Sequence, residues 1–222
     1  MSKIRFTLVR HGESAFNSMN LVQGHMNPGL STLGCNQAEL IGKRLQNEKY
    51  DFVYTSDLKR ACHTAEIILR RNQETKIQPT QDARLREVNL GIWQGWPISV
   101  LRGTLAQLKI PMAEFEFEDG ESRDQLLTRA VSFIDDLCLT CLTNTTNQST
   151  NPSSVNILLV VHGFLIKELV DYFLSKCSST RDSNHDKIPN GSISIFEAIL
   201  QGGSLDDVKC DVICDISHLT NV

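Results

Sequence analysis

Basic stripes, long apolar runs and paired metal-ligand motifs are all missing from this chain of 222 residues. Lysine and arginine number 22 against 26 acidic residues, a formal net charge of -4. No stretch concentrates the positive charge, which argues against a general nucleic-acid binder. No segment approaches the roughly 18 uncharged apolar residues that a membrane-spanning helix needs, so no membrane partner is expected. The opening MSKIRFTLVRHG has only a short apolar stretch and then charge. It reads as a first strand rather than a secretory leader, and a cytoplasmic protein is expected. Seven cysteines, odd in number and irregular in spacing, then read as reduced thiols. Cys138 and Cys141 form a CxxC with no second pair and no histidine pair at ligand spacing, so no zinc site is expected. They read as two small apolar residues on one helix. The sequons at Asn144 and Asn147 carry no meaning without secretion. No internal repeat stands out.

What is present is ordinary for a globular protein, with 41% apolar and 22% charged residues. The length fits one domain over residues 1–222. Apolar strands alternate with helical patterns. IRFTLV reads as a strand, and the helix STLGCNQAELIGKRLQN has Ser31 as its N-cap. YDFVYTS reads as a second strand, and SDLKRACHTAEIILRR as a helix with a Ser/Asp cap. IQPTQDARL is a short extended stretch, and REVNLGIWQGWP, rich in Gly and Trp, a loop. Residues from about 93 to 120 read as a lid segment with helical character. RDQLLTRAVSFIDDLCLTCL reads as a long amphipathic helix. The polar run over about 143–154 reads as a mobile surface loop. VNILLVV is a continuous apolar run, as expected of a strand buried on both faces; FLIKELVDYFLSKC follows as a helix. GSISIFEAIL and VKCDVICDI read as closing strands. The pattern predicts an α/β three-layer sandwich with a mostly parallel central sheet.

Two strands end alike. FTLVRHG and LLVVHG each run apolar and stop at His-Gly. Ligands of open α/β sheets bind at the carboxyl ends of strands, so neighbouring strands of this kind would present His11 and His162 together. A single such histidine would read as an imidazole closing a strand; the repetition, with Arg10 beside the first, favours a site. A neutral imidazole can attack phosphorus and carry the phosphoryl group covalently. The transferring group spreads negative charge over its oxygens, and fixed cations and N–H donors stabilise it. Arg10 offers a planar fork for phosphate, and Arg60 a second one, unless it is a solvated helix arginine. Asn17, Gln23 and Gly24 could add neutral donors. A leaving alkoxide needs a proton, and Glu87 in RLREVNLG is the candidate donor. Its other reading is a surface carboxylate paired to Arg86.

LVRHGESAFN resembles the RHGE signature of the histidine phosphatase superfamily, the phosphoglycerate mutase-like group. LVQGHMNPGLSTLGCNQA, YTSDLKRACHTAEII and LREVNLGIWQGW are similar to its further landmarks, in the same order. DGES, VVHG and NGSIS complete the series. The resemblance covers most of the chain outside the lid and the polar loop. It implies His11 as the phosphorylated nucleophile, with Arg10, Arg60 and His162 completing a phosphate pocket. Asn17, Gln23 and Gly24 would line that pocket, and Glu87 would be the proton donor. Gly12 would leave room for close approach. Gly29, between Pro28 and Leu30, and Gln94, where the group commonly has Glu, depart from the pattern. The later segments are most similar to the fructose-2,6-bisphosphatase branch.

The expected activity is therefore phosphate removal from a small phosphorylated metabolite, with fructose 2,6-bisphosphate first and 2,3-bisphosphoglycerate next. No cofactor or metal is expected, because arginines and histidines already supply the positive charge and no carboxylate cluster suggests an ion. A broad-range phosphomonoesterase or a phosphoglycerate mutase are the alternatives within the enzyme class. The acidic end of the lid segment sets the mutase lower. A non-catalytic phosphate-binding module would be expected to have lost a histidine or the acid, and here both are present.

Overall fold

Strand β1 (Ser2–Arg10) lies inside the sheet, with Ile4, Phe6 and Leu8 buried on one face and Thr7 and Val9 buried on the other. The structure, a computed structural model, describes residues 2–146, 154–177 and 187–220. Besides β1 the sheet contains β2 (Phe52–Thr55), β3 (Thr80–Gln81), β4 (Ser154–Val161), β5 (Ile193–Gln201) and β6 (Ser204–Asp215). Their order is β3-β2-β4-β1-β5-β6. The first four run parallel, and β5 and β6 are antiparallel additions at the β1 side. The helices are α1 (Ala15–Ser18), α2 (Thr32–Arg44), α3 (Lys59–Arg71), α4 (Ile98–Leu108), α5 (Arg123–Thr146) and α6 (Gly163–Ser175). The α/β class with a mostly parallel sheet is as expected.

The period-2 alternation of a strand decides which helix meets which side chain. Ile4, Phe6 and Leu8 share one core with Ala130, Phe133 and Leu137 of α5 and with Leu165, Leu169 and Phe173 of α6. Phe6 stacks on Phe173 at 5.1 Å between ring centroids. Val9 points to the other face, into a core with Ile41 of α2 and Ala65 and Ile68 of α3. The helices that follow β1 and β4 thus lie on opposite faces of two adjacent strands. The carboxyl ends of strands at such a divergence are the usual place for a ligand in sheets of this kind.

Several expectations need correction in detail. Helix α5 continues to Thr146, so the first residues of the polar run are helical; the remainder of it before β4, residues 147–153, lies outside the described residues. Helix α3 does not begin on a Ser/Asp cap. Its N-cap is Leu58, without a side-chain cap. Ser56 Oγ instead accepts the Leu58 N–H at 3.3 Å, and Asp57 pairs with Arg86. The Lys59 N–H is satisfied by Asn27 Oδ1 at 2.7 Å, from a distant loop. Ser31 caps α2 as expected, accepting the Gly34 N–H at 3.0 Å. Cys138 and Cys141 are buried core residues, and burial pushes their thiols up to about 12 and about 11.

Candidate active site

The register sets the two histidines side by side. Arg10 of β1 pairs with Val161 of β4, so the next residues, His11 and His162, leave the sheet together. The His11 N–H bonds the Val161 carbonyl at 3.0 Å, and the two rings meet edge-on at 5.1 Å between centroids. Both side chains are buried.

Hydrogen bonding fixes the form of the His11 ring. Nδ1 lies 2.6 Å from the Gly12 carbonyl, which can only accept. Nδ1 therefore carries the proton and Nε2 keeps its lone pair. Arg60 Nε donates to that Nε2 at 3.3 Å. Burial, reinforced by the Arg60 and Arg10 charges, holds the imidazole well below its ordinary pKa. The ring is neutral at physiological pH, and its unprotonated Nε2 accepts from Arg60. His162 is likewise held well below its ordinary pKa, by burial first and then by Arg60.

Arg60 is fully buried and is no solvated helix arginine. Its Nη1 donates to the Met26 carbonyl at 2.8 Å and its Nη2 to the Gly24 carbonyl at 2.9 Å. Burial lowers it to about 10, with Glu87 acting in the opposite direction. Gly24 thus contributes an acceptor that holds Arg60. It has a left-handed φ of +51°, and a Cβ there would lie 2.2 Å from Gln94 Oε1. That amide oxygen is occupied in turn by the His25 N–H, so Gln94 braces the 23–26 turn. Arg10, lowered mainly by burial, donates through Nη1 to the Ile188 carbonyl.

Among the described residues, three buried polar atoms in this cluster have no hydrogen-bond partner: Arg10 Nε and both ring nitrogens of His162. Orphaned buried polar atoms are uncommon and call for a reason. A tetrahedral oxyanion, with several acceptor oxygens, suits the Arg10 N–H and the one N–H of a neutral His162. Among the described residues no group of three or more His, Cys, Asp or Glu could hold a metal ion.

Glu87 is buried, and it does not pair with Arg86, which bonds Asp57 at 2.8 Å. Its Oε1 accepts the Val88 N–H at 3.0 Å, and its Oε2 accepts the Phe164 N–H of α6 at 3.3 Å. The carboxyl group thus reaches the helix that starts directly after His162. Asn17 Oδ1 closes a capping box with Ser14 at the start of α1 and also accepts from Asn190 Nδ2 at 3.2 Å. Gln23 Oε1 accepts from Ser14 Oγ at 2.6 Å.

Gly12 serves a different contact from the one expected. A Cβ at this position would lie 2.3 Å from the Gly34 carbonyl oxygen, and one at Gly34 would lie 1.9 Å from the Glu13 oxygen. The room is taken by the first turn of α2 pressing on the RHGE segment. Gly29 is accommodated without a positive φ, and its carbonyl accepts the Ala15 N–H at 3.0 Å. In sequence, residues 189–192 stand out only as a landmark, yet they hold the main chain of Arg10 and His11. Asn190 Nδ2 donates to the His11 carbonyl at 3.1 Å, and the Gly191 N–H is 3.2 Å from the Arg10 and His11 carbonyls.

A fixed neutral imidazole, the Arg10 and Arg60 guanidinium groups and a buried carboxyl are groups suited to phosphoryl-transfer chemistry. The family model of the histidine phosphatase superfamily (branch 1) matches residues 6–211, so the chain belongs to that superfamily and is a phosphatase of it. Fructose-2,6-bisphosphatase TIGAR of Bos taurus is 27% identical, over 96% of this chain and 95% of the relative. Phosphoglycerate mutase-like protein 4 of Arabidopsis thaliana is 30% identical, over 96% and 85%. Among solved structures, phosphoglycerate mutase from Bacillus anthracis superposes with a TM-score of 0.78 at 21% identity, over 98% and 96% of the chains. A mycobacterial glucosyl-3-phosphoglycerate phosphatase superposes at 0.75 with 25% identity, over 95% and 98%.

Proposed function

We propose that this phosphatase removes a phosphoryl group from a small phosphorylated metabolite through a phosphohistidine on His11, with the 2-phosphate of fructose 2,6-bisphosphate as its leading substrate. The observation that carries the mechanism is the His11 ring itself: Nδ1 donates to the Gly12 carbonyl and Nε2 faces Arg60. Nε2 attacks phosphorus and the bond from phosphorus to the ester oxygen breaks. Glu87 gives its proton to that oxygen. Arg10, Arg60 and His162 bind the remaining phosphoryl oxygens, where charge spreads in the transition state. Water then attacks phosphorus and the phosphorus–nitrogen bond breaks, Glu87 takes a proton from the water, and His11 is regenerated. Asn17, Gln23 and Gly24 act by shaping the wall around Arg60 and the RHGE loop.

The substrate reading is supported by the names of the TIGAR relatives, at 26 to 27% identity over most of the chain. A mutase must retain the phosphoenzyme while its product turns over. The exposed carboxylates Glu114, Glu116 and Glu118 in the lid segment suit that task poorly. A turnover screen in the presence of chelator tests the reading, using fructose 2,6-bisphosphate, 2,3-bisphosphoglycerate, sugar monophosphates and an aryl phosphate. The expected result is metal-independent phosphate release, fastest from fructose 2,6-bisphosphate. Transfer between phosphoglycerates without phosphate release would reject it.

A further inference from the structure

We infer that Arg129, assisted by His25, is a positioning residue for the Glu87 carboxyl and acts on it through the Glu87 main chain. Glu87 lies on a stretch with no sheet ladder and no α-helix to hold it. The short 3₁₀ turn Ala83–Leu85 ends just before it, and the next begins at Gly91. The backbone of that stretch is instead gathered onto one guanidinium. Arg129, on α5, donates through Nη1 to the carbonyls of Arg84 at 2.6 Å and Arg86 at 2.7 Å. Through Nη2 it donates to the Glu87 carbonyl at 2.9 Å and to Glu121 Oε2 at 2.8 Å, and through Nε to Glu121 Oε1 at 2.6 Å. All five N–H protons of an arginine are thereby engaged. Glu121 Oε2 also accepts the Asn89 N–H at 3.2 Å, so the pair clasps the loop on both sides of Glu87.

His25 adds a second donor to the same oxygen, with Nε2 2.8 Å from the Glu87 carbonyl. It comes from the turn whose neighbouring carbonyls hold Arg60. One turn therefore fixes both the guanidinium beside the nucleophile and the backbone of the acid. Among the described residues the Glu87 side chain is hydrogen-bonded by two backbone N–H groups, so its aim depends on where its main chain sits. Small errors of placement cost heavily in a proton transfer, on the order of 10²-fold for about 1 Å. A lysine at position 129 would keep the charge but could supply neither the fork nor five donors.

This inference rests on Glu87 being the proton donor, and one experiment separates the two ideas. The value of kcat/KM, which reports the steps up to phosphohistidine formation and not its hydrolysis, is measured across aryl phosphates of graded leaving-group acidity and a sugar phosphate. The variants are Glu87→Gln, Arg129→Lys, Arg129→Gln and His25→Ala, each checked for folding by thermal melting. Glu87→Gln should make the rate depend steeply on the leaving group. Arg129→Lys should do the same in part, losing about tenfold or more on the sugar phosphate and little on the most activated aryl ester. His25→Ala, which leaves Arg129 in place, should show the same trend more weakly and supplies the test if the Arg129 variants do not fold. A uniform loss across the series in the Arg129 and His25 variants, with Glu87→Gln still steep, would make the clasp merely structural and overturn the inference. A flat response in Glu87→Gln would instead remove Glu87 as the acid, and the inference with it.

Discussion

The strand-end pocket and the lid segment are built on opposite terms. In the pocket, Arg60 and His162 have no exposed surface, and the Arg60 fork is anchored by two backbone carbonyls. In the segment over about 93–120, Trp96 and Leu108 are each about half exposed. Its inner side packs through Trp93 against Phe115 at 6.2 Å between centroids, and through Leu101 and Leu105. The two regions meet along the 20–26 turn, where Val22 bonds Trp96 and Gly95 through its backbone. A catalytic constellation must be rigid before substrate arrives, because its charges stabilise the transition state only if they need no rearrangement. A segment whose side chains are held on one side only carries no such demand. Substitutions should accordingly damage chemistry in the pocket and be tolerated in the lid.

The largest contrast is expected at Arg60. Arg60→Gln should lower turnover by about 10² to 10³-fold, the range found when one transition-state donor is lost. It should also change the pH profile. Burial is the first cause of the low His11 pKa and the Arg60 charge the next. Removing that charge lets the pKa rise, so His11 begins to protonate at a higher pH as the solution is acidified. The acid limb of log kcat/KM should therefore move to higher pH. An unmoved limb would mean that Arg60 and His11 are not electrostatically coupled.

Two glycines sharpen the comparison on stability. Gly12→Ala drives a Cβ against the Gly34 carbonyl oxygen, a backbone atom that cannot swing aside. It should cost about 1–3 kcal/mol, read as a lower urea midpoint. Gly103, within the lid helix α4, has no positive φ, and a Cβ added there would meet nothing within 4 Å. Gly103→Ala should stabilise by about 0.5–1 kcal/mol, the ordinary gain of alanine in an exposed helix. Equal effects at the two positions would erase the distinction between the regions.

The parts of the site that are legible in the sequence are those written as local patterns. An apolar run that stops at His-Gly marks a buried strand and its carboxyl end, which is why His11 and His162 can be paired from the sequence. Ser31 before a helical period is likewise a local signal. What is not legible acts through main-chain carbonyls. Arg129 lies 42 residues from Glu87, His25 lies 62, and Asn190 lies 179 from His11. Every residue has a carbonyl, so such bonds leave no residue type at the accepting end to read. The start of α3 departs from its local signal for a related reason, since its Lys59 N–H is met by Asn27 from another loop. Gly12 is visible as a close approach, but only the fold shows that its partner is Gly34.

The most direct measurement of the phosphohistidine mechanism is capture of the intermediate. The protein is mixed with fructose 2,6-bisphosphate carrying a radiolabelled 2-phosphate, quenched within the first turnover, and digested under alkaline conditions. The predicted result is acid-labile, base-stable label confined to the peptide bearing His11. The label should be absent in His11→Ala, whose turnover should fall by several orders of magnitude. Label on a serine or cysteine, or sustained turnover by His11→Ala with no label at all, would contradict it.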